Sequence, residues 1–148
     1  MAHSPVDITV LKRSTTLTGL YLLKIAHETS LGPWDIVSLL ILDQRGPLRP
    51  SELADMTEFN TGQVTKIADR LETLGFIRRQ KHPTDRRAIM LAIRPAGRRT
   101  VSQWMAPLAA PWSATAAQVG TAPLRTALDT FGQVVEAHWH DWFPEQSE

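Results

Sequence analysis

The sequence predicts a mainly α-helical fold with one small β-hairpin, and three observations carry that prediction. Apolar residues recur at spacings of three and four through most of the 148 residues, the period of helices with one buried face. The exception is Phe76 to Ile93, where two short β-prone runs flank Pro83, Thr84 and Asp85, residues suited to a turn. Glycine and proline punctuate the chain at Gly32-Pro33, Gly46-Pro47 and Pro50, so the helices between them are short and sharply bounded.

Taken in order, Ser4, Pro5 and Asp7 resemble an N-cap, a first-turn proline and a first-turn acid, opening a helix that runs to about His27. Gly32 and Pro33 restart the chain into a second helix, with Trp34, Val37, Leu40 and Ile41 as its expected buried stripe. Gly46 and Pro47 end it. Pro50 begins a short helix, Ser51 to Met56, with Leu53 and Met56 expected to point inward. Asn60 and Gln63 then form a capping-box pair. In the helix they open, Val64, Ile67, Ala68, Leu71 and Leu74 define the buried face, and Gly75 closes it as a left-handed cap. Thr61, Gly62, Gln63, Thr65, Lys66, Asp69 and Arg70 are left facing outward.

Two short helices joined by a tight turn make a helix-turn-helix, and the hairpin that follows at once makes it winged. Phe76 and Ile77 open the first strand, and Ala88 to Ile93 supply the return. Beyond it, Pro107 and Pro111 each remove a hydrogen bond from the helix expected between Arg98 and Thr121, which predicts a kink or break. Leu124, Ala127, Leu128, Phe131, Val134, Val135, His138, Trp139 and Trp142 then recur at helical spacing, a stripe wider than a three-helix winged core can cover. Packing against the N-terminal helix of a second chain, in a two-fold homodimer, is the expected outcome. The organisation predicted is one domain over residues 1–148: a winged helix-turn-helix at about 34–99, with dimerisation helices at about 5–28 and 100–143.

Composition excludes several functional classes. With 43% hydrophobic residues the chain has enough apolar material to bury about 68 to 70% of its unfolded surface. Having no cysteine, it has no disulfides, thiol catalysis or Cys-based zinc site. The apolar stretch Leu17 to Ile25 is short and broken by Lys24, so no secretory signal is expected, and no run approaches the roughly 18 apolar residues of a membrane span. A soluble, cytoplasmic protein with no membrane partner is the expectation. No Gly-rich phosphate loop, nucleophile–base pair or metal-ligand cluster is present, so neither catalytic residues nor a cofactor is expected. His138 and His140 diverge around a helix and cannot share a metal ion.

Charge points to a partner. Eight of the 16 Lys and Arg (Arg78, Arg79, Lys81, Arg86, Arg87, Arg94, Arg98 and Arg99) lie between Arg78 and Arg99, against the single acid Asp85. That segment carries +7 in a protein of net charge +1, which leaves −6 for the remainder. A local cationic face of this kind fits a polyanion with a groove to match.

Pro50-Ser51-Glu52-Leu53-Ala54, the run Val64-Thr65-Lys66-Ile67-Ala68-Asp69-Arg70-Leu71-Glu72-Thr73-Leu74-Gly75-Phe76-Ile77-Arg78-Arg79, then Asp85-Arg86-Arg87-Ala88 and Pro95-Ala96-Gly97 resemble the MarR family of transcriptional regulators. The resemblance runs in register from about Trp34 to Arg99. It implies a dimeric winged-helix repressor or activator on double-stranded DNA, of a kind often released by small aromatic or lipophilic effectors. Some positions depart from the family pattern. Arg49 and Arg94 stand where a capping Thr or Ser is usual, Glu58 at a customary turn glycine, and Gly62 in place of a small hydroxyl residue. Each missing cap is expected to cost about 1 kcal/mol.

On DNA, Asn60, Thr61, Thr65, Lys66 and Arg70 are the candidates for phosphate contacts, with Gly62 bringing backbone close to a phosphate. Gln63 is the candidate base reader, since an amide pairs with adenine N6 and N7, and Lys66 is an alternative reader of guanine. For Gln63 the competing role is the helix cap alone. Lys81, Arg86 and Arg87 are the wing-tip cations, with Arg87 expected in a narrow A·T-rich minor groove. Asp85 is expected to order the wing through an ion pair with Arg87 or Arg79, the alternative being an ordinary turn aspartate. Tyr21, His27, Trp34, Trp104, Met105 and Trp112 are the candidate lining of an effector pocket, against the alternative that they are core. The competing functional reading, a winged-helix module that binds protein, has no use for Arg86 and Arg87 beside Lys66.

Overall fold

The computed structural model describes residues 8–85 and 87–142, apart from the side chains of Ile8 and of residues 139–142. The proposed cap at Ser4, Pro5 and Asp7, the tip cation Arg86, and the side chains of Trp139 and Trp142 lie outside the described residues. Within them the order is α1 (Ile8–Thr29), α2 (Pro33–Arg45), α3 (Pro50–Thr57), α4 (Thr61–Thr73), β1 (Ile77–Lys81), β2 (Ile89–Ile93), α5 (Pro95–Val119) and α6 (Thr121–Trp142). This is the mainly helical chain with one hairpin that the periodicity predicts.

The helix starts are set by side chains three residues in. The Gly32 N–H donates to Asp35 Oδ2 at 2.8 Å and the Arg49 N–H to Glu52 Oε2 at 2.6 Å. Glu52 thus supplies half of the cap that the Arg49 side chain cannot. At α4 the box is reciprocal: the Gln63 N–H donates to Asn60 Oδ1 at 2.9 Å and the Asn60 N–H to Gln63 Oε1 at 3.2 Å. The helix stops are left-handed residues, Gly75 at φ 76° after α4 and, less comfortably for a residue with a Cβ, Glu58 at φ 56° after α3. After α4 the Gly75 N–H returns to Glu72 O and the Phe76 N–H to Leu71 O, both at 2.9 Å, the pair of bonds of a Schellman motif.

The strands pair antiparallel with Ile77 opposite Ile93 and Lys81 opposite Ile89. Leu48, in the loop before α3, adds a rung: its N–H donates to Leu91 O at 3.0 Å, and the Leu91 N–H to Leu48 O at 2.7 Å. The chain divides into two compact units, the first ending at Trp104 and the second starting at Met105. Ile36, Leu39, Leu42, Leu53, Val64, Leu71, Ile77 and Leu91 form the core of the first unit. Gly97, at the start of α5, lies where a Cβ would meet Phe76 O at 2.5 Å, so this close approach requires glycine.

Four expectations need correction. The buried face of α2 is Asp35, Ile36, Ser38, Leu39 and Leu42, not Trp34, Val37, Leu40 and Ile41. Six of the seven residues from Ile36 to Leu42 are apolar, so spacing alone does not single out a stripe. Trp34 is 47% exposed and meets the Phe59 ring edge-on, with centroids 4.6 Å apart. In α3, Met56 is 40% exposed and Thr57 is buried instead, because its hydroxyl donates to Leu53 O at 2.7 Å and so needs no outside partner. Leu74 is 49% exposed, since it is the cap residue at which the chain turns away. Finally, α5 is one continuous helix through Pro107 and Pro111, so the expected break does not occur. Proline's fixed φ is compatible with helical backbone, so each ring costs its own hydrogen bond and crowds the carbonyl four residues back without ending the helix.

Candidate nucleic-acid interface

Helix α4 presents the predicted face. Thr61, Gly62, Gln63, Thr65 and Lys66 are exposed, while Val64, Ile67, Ala68 and Leu71 hold the helix down from beneath. Thr65 turns its hydroxyl to Thr61 O at 2.8 Å, and Gln63 has its amide oxygen engaged by Asn60, which leaves the amide NH₂ as its outward group. Bidentate pairing with adenine therefore requires the cap bond to open or to be shared.

Arg70 sits differently from its neighbours. Its Nη1 donates at 2.7 Å to Asp35 Oδ2, on a carboxylate that is 1% exposed and also accepts the Gly32 N–H. The guanidinium thereby ties α4 to the first turn of α2. A buried acid in that position was not anticipated from the sequence; its only signal was its place three residues after Gly32, where a side chain can reach back to the helix start.

The expected partnership of Asp85 with Arg79 is not what forms. Arg79 points back along β1 to α4: its Nη2 donates to Asp69 Oδ1 at 2.6 Å, its Nη1 to Glu72 Oε2, and its backbone N–H to Glu72 Oε1 at 2.9 Å. Two acids on successive turns of α4 reach β1 first because the chain reverses at Gly75. Accepting the Arg79 backbone N–H, and then its guanidinium, holds the Glu72 carboxyl below the usual carboxylate range despite partial burial. For Arg79, partial burial disfavours the charged form, but the hydrogen bonds to Asp69 and Glu72 outweigh it and raise its pKa. Asp85 instead accepts the Arg87 backbone N–H on Oδ1 at 3.1 Å, as a turn aspartate does, while its Oδ2 lies 3.9 Å from the Arg49 guanidinium.

These pairings redistribute the cationic segment. Arg79 is balanced by Asp69 and Glu72, and Arg98 by Asp43 at 3.0 Å. Among the described residues Lys66, Lys81 and Arg87 are exposed and have no acidic partner. The first unit therefore carries uncompensated charge on both the second helix of the helix-turn-helix and the wing.

The aromatic candidates are less unified. The Tyr21 hydroxyl donates to the Trp104 carbonyl and Trp104 is buried, whereas Trp34 meets Phe59 and His27 is exposed at the end of α1. Met105 and Trp112 belong to the second unit. Apolar residues of α1 (Leu17, Leu20, Leu23) and of α6 (Leu128, Phe131, Val134) are exposed. His138 turns its Nδ1 toward Val134 O at 2.9 Å, and no cluster able to hold a metal ion occurs among the described residues.

Known proteins match this arrangement. The model of the MarR family matches residues 35–89, which run from the buried Asp35 through the wing. The uncharacterized HTH-type transcriptional regulator YcgE of Bacillus subtilis is 33% identical over 101 residues, 68% of this chain and 66% of that protein. Of solved structures, RV1404 from Mycobacterium tuberculosis superposes with a TM-score of 0.65 at 23% identity, covering 99% of this chain and 100% of the other. NadR in complex with 4-hydroxyphenylacetate superposes with a TM-score of 0.64 at 19% identity, covering 90% and 94%. With a helix-turn-helix, a wing and relatives that are regulators rather than enzymes, the chain belongs to the MarR family of transcriptional regulators.

Proposed function

We propose that this chain acts as a homodimeric, sequence-specific DNA-binding repressor on a pseudo-palindromic operator. The observation that carries the reading is the pairing of exposed Lys66 on α4 with exposed Lys81 and Arg87 on the wing, all without acidic partners among the described residues. In this reading Asn60, Thr61, Gly62, Thr65 and Lys66 hold phosphates, Gln63 reads a base through its amide, and Arg87 enters the minor groove, helped by Lys81 and Arg86. Arg70 contributes mainly by fixing α4 through Asp35. The exposed apolar residues of α1 and α6 support self-association, and two copies would address half-sites about 34 to 36 Å apart. Release by a small aromatic or lipophilic ligand is the accompanying proposal, with Tyr21, Trp34 and Trp104 as candidate contacts.

Selection of binding sites from random DNA with the purified protein tests the reading, because it returns an inverted repeat if the proposal is right. Arg87→Ala is expected to weaken binding to the selected duplex while leaving thermal stability and self-association unchanged. Recovery of no enriched sequence, or retention on DNA that ignores salt, would count against it.

A further inference from the structure

The wing turn holds a histidine that the contacts proposed for DNA do not use. The His82 backbone N–H closes the hairpin on Ala88 O at 3.0 Å, and its ring covers the turn: Nδ1 lies 3.1 Å from the Asp85 backbone N and 3.3 Å from that of Thr84, with Thr84 Oγ1 also at 3.3 Å. Backbone N–H groups only donate, so Nδ1 is the acceptor, and the imidazole in this arrangement is neutral with its proton on Nε2. The chain of acceptors continues. Asp85 takes the Arg87 N–H on its side chain at 3.1 Å and the Ala88 N–H on its carbonyl at 3.0 Å. Side chains and turn carbonyls thus satisfy successive donors that the strand ladder leaves unpaired.

We propose that His82 is a positioning residue for the wing: its neutral ring orders the tip that presents Arg87, and protonation of that ring releases the tip. The proposal rests on the reading that the wing contacts DNA. Among the described residues, the charged groups around the ring are Lys81 before it, Asp85 and Arg87 after it, and Arg49 at the start of α3, 3.9 Å from Asp85. By charge alone, a protonated ring beside Lys81 and Arg87 would tighten the hold on a polyanion. By geometry it sets a new N–H against two backbone N–H donors, which opens the turn and weakens binding. The sign of the pH dependence therefore separates the two.

His82→Asn keeps an acceptor that can take the N–H two residues on, as Asx turns do, and it does not titrate. His82→Ala removes the acceptor. The test measures affinity of the full chain for the duplex recovered by selection, at about pH 8 and about pH 5.5, the window in which histidines change charge, alongside ¹⁵N spectra of the free protein. The expected spectra show the Nε2–H tautomer at the higher pH, with the Thr84 and Asp85 amides moving on acidification. At about pH 8, His82→Ala is expected to bind about tenfold more weakly than wild type, the loss of roughly one net hydrogen bond, with His82→Asn restoring binding to within about twofold. On acidification wild type should lose about tenfold more affinity than His82→Asn. An Nδ1–H tautomer, tighter binding by wild type at the lower pH, or a His82→Ala protein equal to wild type would each overturn the proposal. An Arg87→Ala protein that binds as wild type does would instead overturn the wing reading and the DNA half of the proposal, while the tautomer and amide signals still decide the cap.

Discussion

Removing Arg70 separates a structural arginine from a DNA-binding one. Asp35 is 1% exposed and accepts two hydrogen bonds, from the Gly32 N–H at 2.8 Å and from Arg70 Nη1 at 2.7 Å. Arg70→Ala deletes the charge-assisted bond, worth about 1.5 to 3 kcal/mol, and leaves a buried carboxylate one partner short. Because the Arg70 side chain is 54% exposed, water can enter the vacated space and return part of that loss, so about 2 kcal/mol is expected. Asp35→Ala loses the same bond and also the cap on α2, a further cost of about 1 kcal/mol, for about 3 kcal/mol in all. In the Asp35→Ala background Arg70 has no buried partner to abandon, and its removal should cost about nothing. The coupling read from the double-mutant cycle is then about 2 kcal/mol. Urea denaturation of wild type, both single variants and the double variant measures it, and Arg70→Ala should melt about 6 to 10 °C below wild type. A coupling below about 0.5 kcal/mol would refute the reasoning, and so would a stable Arg70→Ala protein whose salt dependence of DNA binding drops by a full phosphate contact.

Gly97→Ala places a Cβ 2.5 Å from Phe76 O and 2.8 Å from Ile93 Cγ1, and since that carbonyl also accepts the Arg94 N–H, the expected loss is about 3 kcal/mol by chemical denaturation; a loss under about 1 kcal/mol would mean that the start of α5 shifts freely. The Glu72 carboxyl, held below 4.5 in the folded chain, contributes stability that is fully present above its unfolded pKa and is lost as pH falls through the lower folded value. The stability gap between wild type and Glu72→Gln should therefore be constant near neutrality and close only under acid conditions, and a ¹³C titration of the carboxylate with its midpoint at or above 4.5 would contradict it. The Ser38 hydroxyl is buried without a hydrogen-bond partner among the described residues, so Ser38→Ala should be neutral or stabilising by up to about 1 kcal/mol, and a melting temperature several degrees lower would contradict this.

The elements readable in the sequence are those where local chemistry leaves one solution. Asn60 with Gln63, Gly75 after Leu74, and the β-prone runs around Pro83 each fix a backbone state within a few residues, and each was placed correctly. Faces were harder to read. In α2 nearly every residue from Ile36 to Leu42 is apolar, and in α3 a threonine that satisfies itself displaces a methionine from the interior. The hardest features to foresee were partnerships across long separations, Arg70 with Asp35 and the Leu48–Leu91 rung, because no local rule connects those positions. The choice of Arg79 by Asp69 and Glu72 over Asp85 belongs to the same class, since several acids compete for one guanidinium and only the fold decides distance.

The Leu48–Leu91 rung gives the wing a second mooring. Arg79 fastens β1 to α4, and Leu48 fastens β2 to the loop that feeds α3, so the hairpin is held at both edges by the helices it follows. Such a hairpin behaves as one jaw of a calliper whose other jaw is α4. If α4 and the wing enter adjacent grooves as proposed, a calliper of fixed opening would shift the burden of adjustment to the duplex: sites whose major and minor grooves already stand at that opening would bind undeformed, and stiffer or wider ones would bind less well at positions no side chain touches.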